Sequence, residues 1–130
     1  MMLEAAVLIT ALMFGGSVLY AFGFAAFIFT NLPPETAGPL IRRAFPHFYV
    51  FVFATSVAAA AAAWPIDPVG AAILAAVAVT TVFARQVLMP AINDATDTGR
   101  KGRFKALHSL SVVVTLAHIA GAAYVILRLV

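Results

Sequence analysis

Four long apolar runs constrain this chain more than any other feature, and they cover residues 5–30, 47–64, 69–89 and 106–127. A helix of about 20 residues crosses a hydrocarbon core about 30 Å thick. Backbone groups inside a bilayer must satisfy their own hydrogen bonds, and the runs lack the two-residue alternation of a barrel strand. The sequence therefore predicts an all-α integral membrane four-helix bundle, with residues 1–130 forming one membrane domain.

Composition supports the same class. The chain is 64% hydrophobic and 10% charged, whereas a soluble domain carries about 25% charged residues. Its main partner is therefore expected to be the lipid bilayer, and a bacterial inner membrane is the expected location. The net charge of +3 does not indicate a nucleic-acid partner, because cations around membrane spans are explained by topology.

The distribution of Lys and Arg predicts orientation. Six cations lie in the connections after the first and third runs, whereas Arg128 is alone on the opposite side and is expected to reach water unaided. Positive charge favours the cytoplasmic side. Both termini are therefore expected on the non-cytoplasmic side. The six cations are Arg42, Arg43, Arg100, Lys101, Arg103 and Lys105.

The connections carry patterns of their own. Residues 34–46 place apolar side chains three and four positions apart, which predicts a short helix lying in the membrane interface. Pro90 suits a kink or a fresh helix start after the third run. These features predict short interfacial helices in the two cytoplasmic connections. Trp64 and two prolines predict a tight hairpin between the second and third spans.

Polar residues in the fourth run share one helical face. His108, Ser111, Thr115 and His118 lie within about 80° of one another at 100° per residue. Such a stripe is expected to face the bundle interior. For His118, near the bilayer centre, the pattern leaves two interpretations open: a neutral ring bonded to a Ser or Thr of another helix, or a ligand.

The connection between the third and fourth runs also predicts a polar cluster at the cytoplasmic end. We expect Arg85, Asn93 and His108 to be linked through Asp94 or Asp97, since an unpaired Arg inside hydrocarbon is costly. The alternative is that Arg85 is only a topology anchor. Such a cluster could bind an anion, a lipid head group or a partner protein. Its predicted members are Arg85, Asn93, Asp94, Asp97, His108 and Ser111.

Two short stretches carry a family resemblance. The first has the form R-x-x-x-x-P-x-I-N and runs from Arg85 to Asn93, and the second has the form F-x-x-L-H-x-x-S and runs from Phe104 to Ser111. With the Gly15-Gly16 pair, this order resembles the transmembrane protein 205-like domain, also known as domain of unknown function 4149. The resemblance implies a four-helix membrane protein of largely unassigned role, with a eukaryotic relative linked to drug resistance and secretion.

Three function classes remain open. The first is a transport or membrane-accessory role without a cofactor, favoured because no carboxylate lies within a span and no nucleophile is adjacent to a base. The second is a redox protein that binds haem b or copper through His47, His108 or His118, although His118 lies about 15 Å deeper than His108. The third is a structural subunit of a larger complex. A transporting form is expected to be a homo-oligomer or to work with a partner.

Overall fold

The computed structural model describes residues 1–130 and contains four long helices. We number them in chain order: α1 is Met2–Asn31, α2 is Pro34–Ala63, α3 is Pro68–Asp97 and α4 is Lys101–Leu129. All four are long and apolar enough to cross a membrane. The sequence prediction of an all-α membrane bundle is confirmed.

Local chemistry explains where the helices begin and end. Pro34 and Pro68 occupy first-turn positions, where the missing N–H costs nothing. Helix α3 ends in a Schellman motif, with the Arg100 amide donating to the Ala95 carbonyl and Gly99 at φ +69°. That left-handed conformation is open to glycine at little cost, so Gly99 turns the chain sharply towards α4.

The helices form an antiparallel ring in which each contacts its neighbours in sequence and α1 contacts α4. Met13, Leu74 and Val125 are the largest apolar side chains fully buried in the core. The core also contains many alanines, which lets the helix backbones approach closely. Many large apolar residues on the outer surface are exposed, as expected where lipid replaces protein contacts.

The helices are longer than the bilayer requires. Thirty residues span about 45 Å at about 1.5 Å per residue, whereas the hydrocarbon core is about 30 Å thick. The apolar runs of α2 and α3 adjoin the 64–67 connection, so the surplus length lies at the other end. We call that other end, which contains connections 32–33 and 98–100, the basic end.

The structure differs from the sequence prediction at the basic end. Residues 34–46 are the first turns of the uninterrupted helix α2 rather than a separate interfacial helix. This segment contacts the rest of the bundle: Ala37 is fully buried, and the Arg42 guanidinium donates two hydrogen bonds of 2.8 Å to the Asp97 carboxylate. This bidentate pair holds the end of α2 against the end of α3, so the two helices project from the membrane together.

The opposite end contains a second ion pair. Arg128 donates to both Asp67 carboxylate oxygens, at 2.8 and 2.7 Å. This contact corrects the expectation that Arg128 reaches water unaided, and it joins the end of α4 to the turn before α3. The hydrogen bonds from Arg128 lower the pKa of the Asp67 carboxyl to about 2.

Two helices contain π-helical segments, Leu19–Phe24 in α1 and Ala84–Leu88 in α3. A π segment widens the helix and shifts the following side chains around its axis, and such segments are frequent at functional sites. Each segment here borders a groove on the surface of the bundle.

Candidate functional site

The larger groove lies between α1 and α2 and has a volume of about 660 Å³. Its lining is mainly apolar, and its polar side chains belong to Tyr20 and His47. Sites for small molecules typically have volumes of roughly 300–1,000 Å³, so the groove is large enough for a ligand. The α1 side is lined by Leu12, Gly16, Leu19, Tyr20, Gly23, Phe24 and Phe27, and the α2 side by His47, Phe48 and Phe51.

Local sequence explains the shape of this groove. Gly16 and Gly23 are seven residues apart and lie on nearly the same face of α1, so that face carries no side chain at two levels. Tyr20 lies between them and is held against α2. Its hydroxyl donates to the Ala44 carbonyl at 2.9 Å, and its ring stacks on Phe48 at 5.1 Å between centroids.

The groove opens sideways towards lipid. Leu12, Leu19 and Phe27 at its edge are 56%, 70% and 63% exposed, and these residues lie within the apolar run of α1. The Tyr20 hydroxyl is already bonded to the Ala44 carbonyl, which leaves His47 as the polar side chain free to meet a ligand. A molecule that enters from the bilayer would therefore meet a mainly hydrocarbon and aromatic surface.

A smaller groove of about 230 Å³ lies between α2 and α3. It is lined by Arg85 and Gln86 from the π segment of α3 and by Tyr49 from α2. Arg85 donates through Nε to the Pro46 carbonyl at 3.3 Å and through Nη1 to the Gln86 side chain at 2.9 Å. Arg85 therefore faces α2.

The predicted polar cluster is not joined by the expected contacts. Arg85 forms no hydrogen bond with Asp94 or Asp97, and Asp97 instead pairs with Arg42 from α2. Sequence analysis did not predict this partner, because Arg42 lies 55 residues away in the chain. Asn93 and Asp94 form no side-chain hydrogen bond within the protein, and the six residues as a binding site stay a prediction.

The polar stripe of α4 is mostly outside the interior. His118 is 9% exposed, whereas His108 is exposed and stacks on Phe104 at 5.4 Å. Ser111 is half-buried and donates to the His108 carbonyl at 2.7 Å. Thr115 is also half-buried, so the expectation of a buried stripe holds fully only for His118. His108 is exposed because the start of α4 lies at the basic end.

The three histidines have separate environments. The Nε2 atom of His118 lies 2.6 Å from the Thr80 hydroxyl, one of the two environments left open by the sequence. His47 borders the α1–α2 groove, and His108 lies against Phe104. No group of three His, Cys, Asp or Glu residues is placed to hold a metal ion.

Sequence analysis missed Gly23 and Phe51 as groove residues. The seven-residue spacing of Gly16 and Gly23 was the available signal, because it marks one smooth helical face. Phe51 had no comparable signal. Its position depends on how α2 packs against α1.

This architecture defines the class of the protein. Four apolar helices in an antiparallel ring, with lipid-facing grooves and basic connections at one end, make it an integral membrane helical bundle in contact with the lipid bilayer. A family model described as "Domain of unknown function (DUF4149)" matches residues 8–101. The match covers more than half of the chain, which therefore belongs to the DUF4149 family.

The matched region extends from α1 to the start of α4 and includes both grooves. His108 and Ser111, which contributed to the resemblance seen in the sequence, lie beyond it. Comparisons with curated proteins and with solved structures returned no match.

Proposed function

We propose that this protein has a membrane-accessory role, in which the α1–α2 groove holds the apolar chain of a lipophilic molecule taken from the bilayer. The observation that carries the proposal is the groove itself, which has a volume of about 660 Å³ and a mainly apolar lining. Its exposed edge lies at membrane depth. A molecule already dissolved in the bilayer could therefore enter without crossing water.

The closed interior supports this role over a channel within one bundle. Thr10, Ser56 and Thr81 are at most 1% exposed. Their hydroxyls donate to carbonyls within their own helices, at 2.6, 3.0 and 2.6 Å. These groups have little capacity left for a permeating ion or solute. Transport of a lipophilic molecule would thus use the outer surface of the bundle.

The chemistry of the groove favours a hydrocarbon chain as its occupant. Phe24, Phe48 and Phe51 supply aromatic walls, which bury apolar area without requiring hydrogen bonds. His47 lies at the end nearer the basic connections, where it could meet a polar group at the head of the molecule. A fatty acid or a single acyl chain has this form.

A binding titration with a fluorescent fatty acid tests the proposal. In purified protein, Gly23→Leu would put a branched side chain into the groove. Its Cβ would lie 3.3 Å from Leu19 Cδ1, a tight contact that the exposed end of the Leu19 side chain can relieve by a small shift, so the helix should tolerate it. We expect affinity to fall by at least about tenfold, which corresponds to about 1.4 kcal/mol of binding free energy.

Gly15→Leu is the matched control. A Cβ at Gly15 meets nothing within 4 Å, and Gly15 does not line the groove. Its variant should bind like the parent protein. Equal affinities for the parent and Gly23→Leu, or equal losses in both variants, would contradict the proposed binding site.

We infer a bacterial inner-membrane location with the basic end in the cytoplasm and both termini outside it. The uneven distribution of cations supports this orientation. The chain has no cysteine, so single cysteines at Thr36 and Thr98 can be tested with an impermeant reagent. Both should resist labelling in intact cells, whereas Ile66→Cys should react. If Thr36→Cys and Thr98→Cys were labelled and Ile66→Cys were not, the orientation would be the opposite of the one proposed.

We propose that a transporting form contains more than one copy of the chain or a partner protein. One bundle offers grooves on its outer surface but no enclosed polar route, which supports assembly as the way to enclose a path. Native mass spectrometry in mild detergent measures the copy number. A strictly monomeric protein that still moved a lipophilic probe between liposome leaflets would contradict this part of the proposal.

A further inference from the structure

Arg85 has no acidic partner, unlike the two arginines that form ion pairs. Arg42 and Arg128 each form a bidentate pair with a carboxylate, and the remaining ion pair joins the N-terminus to Glu4. Arg85 contacts neutral groups only, the Pro46 carbonyl and the Gln86 side chain. Its positive charge therefore has no counter-charge within the protein.

The position of Arg85 makes this charge costly. It lies 17 residues beyond Pro68, about 25 Å along the helix at about 1.5 Å per residue. The hydrocarbon core is about 30 Å thick, so the Cα atom lies just inside the edge at the basic end. An unpaired Arg within a span is unfavourable, and such residues commonly face a partner or a polar cavity.

The guanidinium has N–H donors that form no hydrogen bond within the protein. Arginine has five N–H groups, and two of them are used by Pro46 and Gln86. Three N–H groups remain for an acceptor from outside the protein. A phosphodiester matches this need, because its two free oxygens accept the paired donors of a guanidinium and its negative charge offsets the positive one.

Tyr49 supplies a second, independent donor in the same groove. It lines the groove with Arg85 and is only 7% exposed, yet its hydroxyl forms no hydrogen bond within the protein. The ring is buried but the hydroxyl oxygen itself is not enclosed, so it reaches the groove surface and is free to donate to an acceptor from outside the protein. Because the Tyr49 hydroxyl and the Arg85 guanidinium line the same groove, we infer that both donate to one shared acceptor.

We propose that Arg85 and Tyr49 bind the phosphate of one anionic phospholipid from the surrounding bilayer. The acyl chains of this lipid lie along Val50, Phe53 and Val82, the apolar residues of the same groove. An anionic lipid is favoured over a zwitterionic one, because the ammonium group of the latter would restore the uncompensated positive charge. This site lies between α2 and α3 and is separate from the α1–α2 groove.

Native mass spectrometry of protein released from mixed phosphatidylglycerol and phosphatidylcholine bilayers tests the site. The parent protein should retain one phosphatidylglycerol in preference to phosphatidylcholine. Arg85→Gln should lower retention at least about tenfold, and Tyr49→Phe, which removes only the hydroxyl, by roughly fivefold. Arg103→Gln is the matched control, because Arg103 is an exposed cation at the same end with no ion pair. The Arg103→Gln protein should retain the lipid fully.

Three outcomes would overturn the site: equal retention of the two lipids, equal losses in Arg85→Gln and Arg103→Gln, or full retention in Tyr49→Phe. The tyrosine variant keeps the ring and its packing, so it decides the matter even if Arg85→Gln fails to fold. Millimolar inorganic phosphate should not displace the lipid, and displacement would identify a free anion as the ligand instead. Gly23→Leu should leave retention unchanged, which separates this proposal from the proposed function.

Discussion

The hydrogen bond between Thr80 and His118 gives a sharp test of how α3 packs against α4. Thr80 lies 12 residues beyond Pro68, about 18 Å along α3 and close to the bilayer centre. Its hydroxyl is 2.8 Å from the Ala76 carbonyl of its own helix and 2.6 Å from His118 Nε2 on α4. If the hydroxyl donates to Ala76, its oxygen accepts the Nε2–H of a neutral His118.

This geometry predicts unequal costs for removing the two partners. Thr80→Val keeps the side-chain shape but leaves the His118 N–H without an acceptor. It should destabilise the protein by about 1–2 kcal/mol, a value between the larger cost of an unsatisfied buried donor and the smaller energy of a typical interhelical hydrogen bond in a membrane. His118→Leu leaves Thr80 bonded to Ala76, so its cost should stay below about 1 kcal/mol. Thr80→Val should add little once His118 is Leu.

The free energy of unfolding, measured by steric trapping in lipid discs, provides the double-mutant cycle. Thr55→Val is the control, because the Thr55 hydroxyl bonds only to carbonyls of its own helix. A Thr80→Val cost equal to that of Thr55→Val would refute the reasoning. So would an undiminished Thr80→Val cost in the His118→Leu protein.

Three further outcomes are expected. The Asp67–Arg128 pair should stabilise the protein above the ordinary carboxyl pKa of about 4. This contribution should be lost as the pH falls towards the depressed pKa of about 2, since the Asp67 carboxyl binds a proton less tightly in the folded state than in the unfolded state. Asp67→Asn should therefore reduce the pH dependence of the thermal midpoint between pH 5 and 2, measured in one detergent. Gly99→Ala should destabilise by about 1 kcal/mol because of the positive φ, whereas Gly102→Ala, in the first turn of α4 with open space around it, should stabilise by about 0.5 kcal/mol; chemical unfolding compares the two. The visible spectrum of purified protein should lack a Soret band, and a band would support the haem alternative.

Much of the fold could be predicted because bilayer thickness imposes a simple length rule. The four runs lie within or nearly within the four helices, and the bundle class follows from their apolarity alone. Helix boundaries at the basic end could not be predicted in the same way. Beyond the hydrocarbon the length rule no longer applies, and the extended part of α2 makes tertiary contacts, such as the Arg42–Asp97 pair, with residues distant in the chain.

The candidate sites were less accessible to sequence reasoning. Arg85 and His118 stood out as polar residues within spans, but their partners, the Pro46 carbonyl and Thr80, lie 39 and 38 residues away in the chain. Tyr49 gave no sign that its hydroxyl would lack a partner. Such facts depend on which helix faces meet.

The sequence by itself determined that this chain crosses a membrane as helices and which of its ends is basic, because both properties depend on local composition and on the dimensions of the bilayer. The tertiary structure alone decided where the grooves lie, which carboxylates Arg42 and Arg128 meet, and which polar groups remain unpaired. Those outcomes depend on the rotation of each helix about its axis, and that rotation is set by packing between residues distant in the chain.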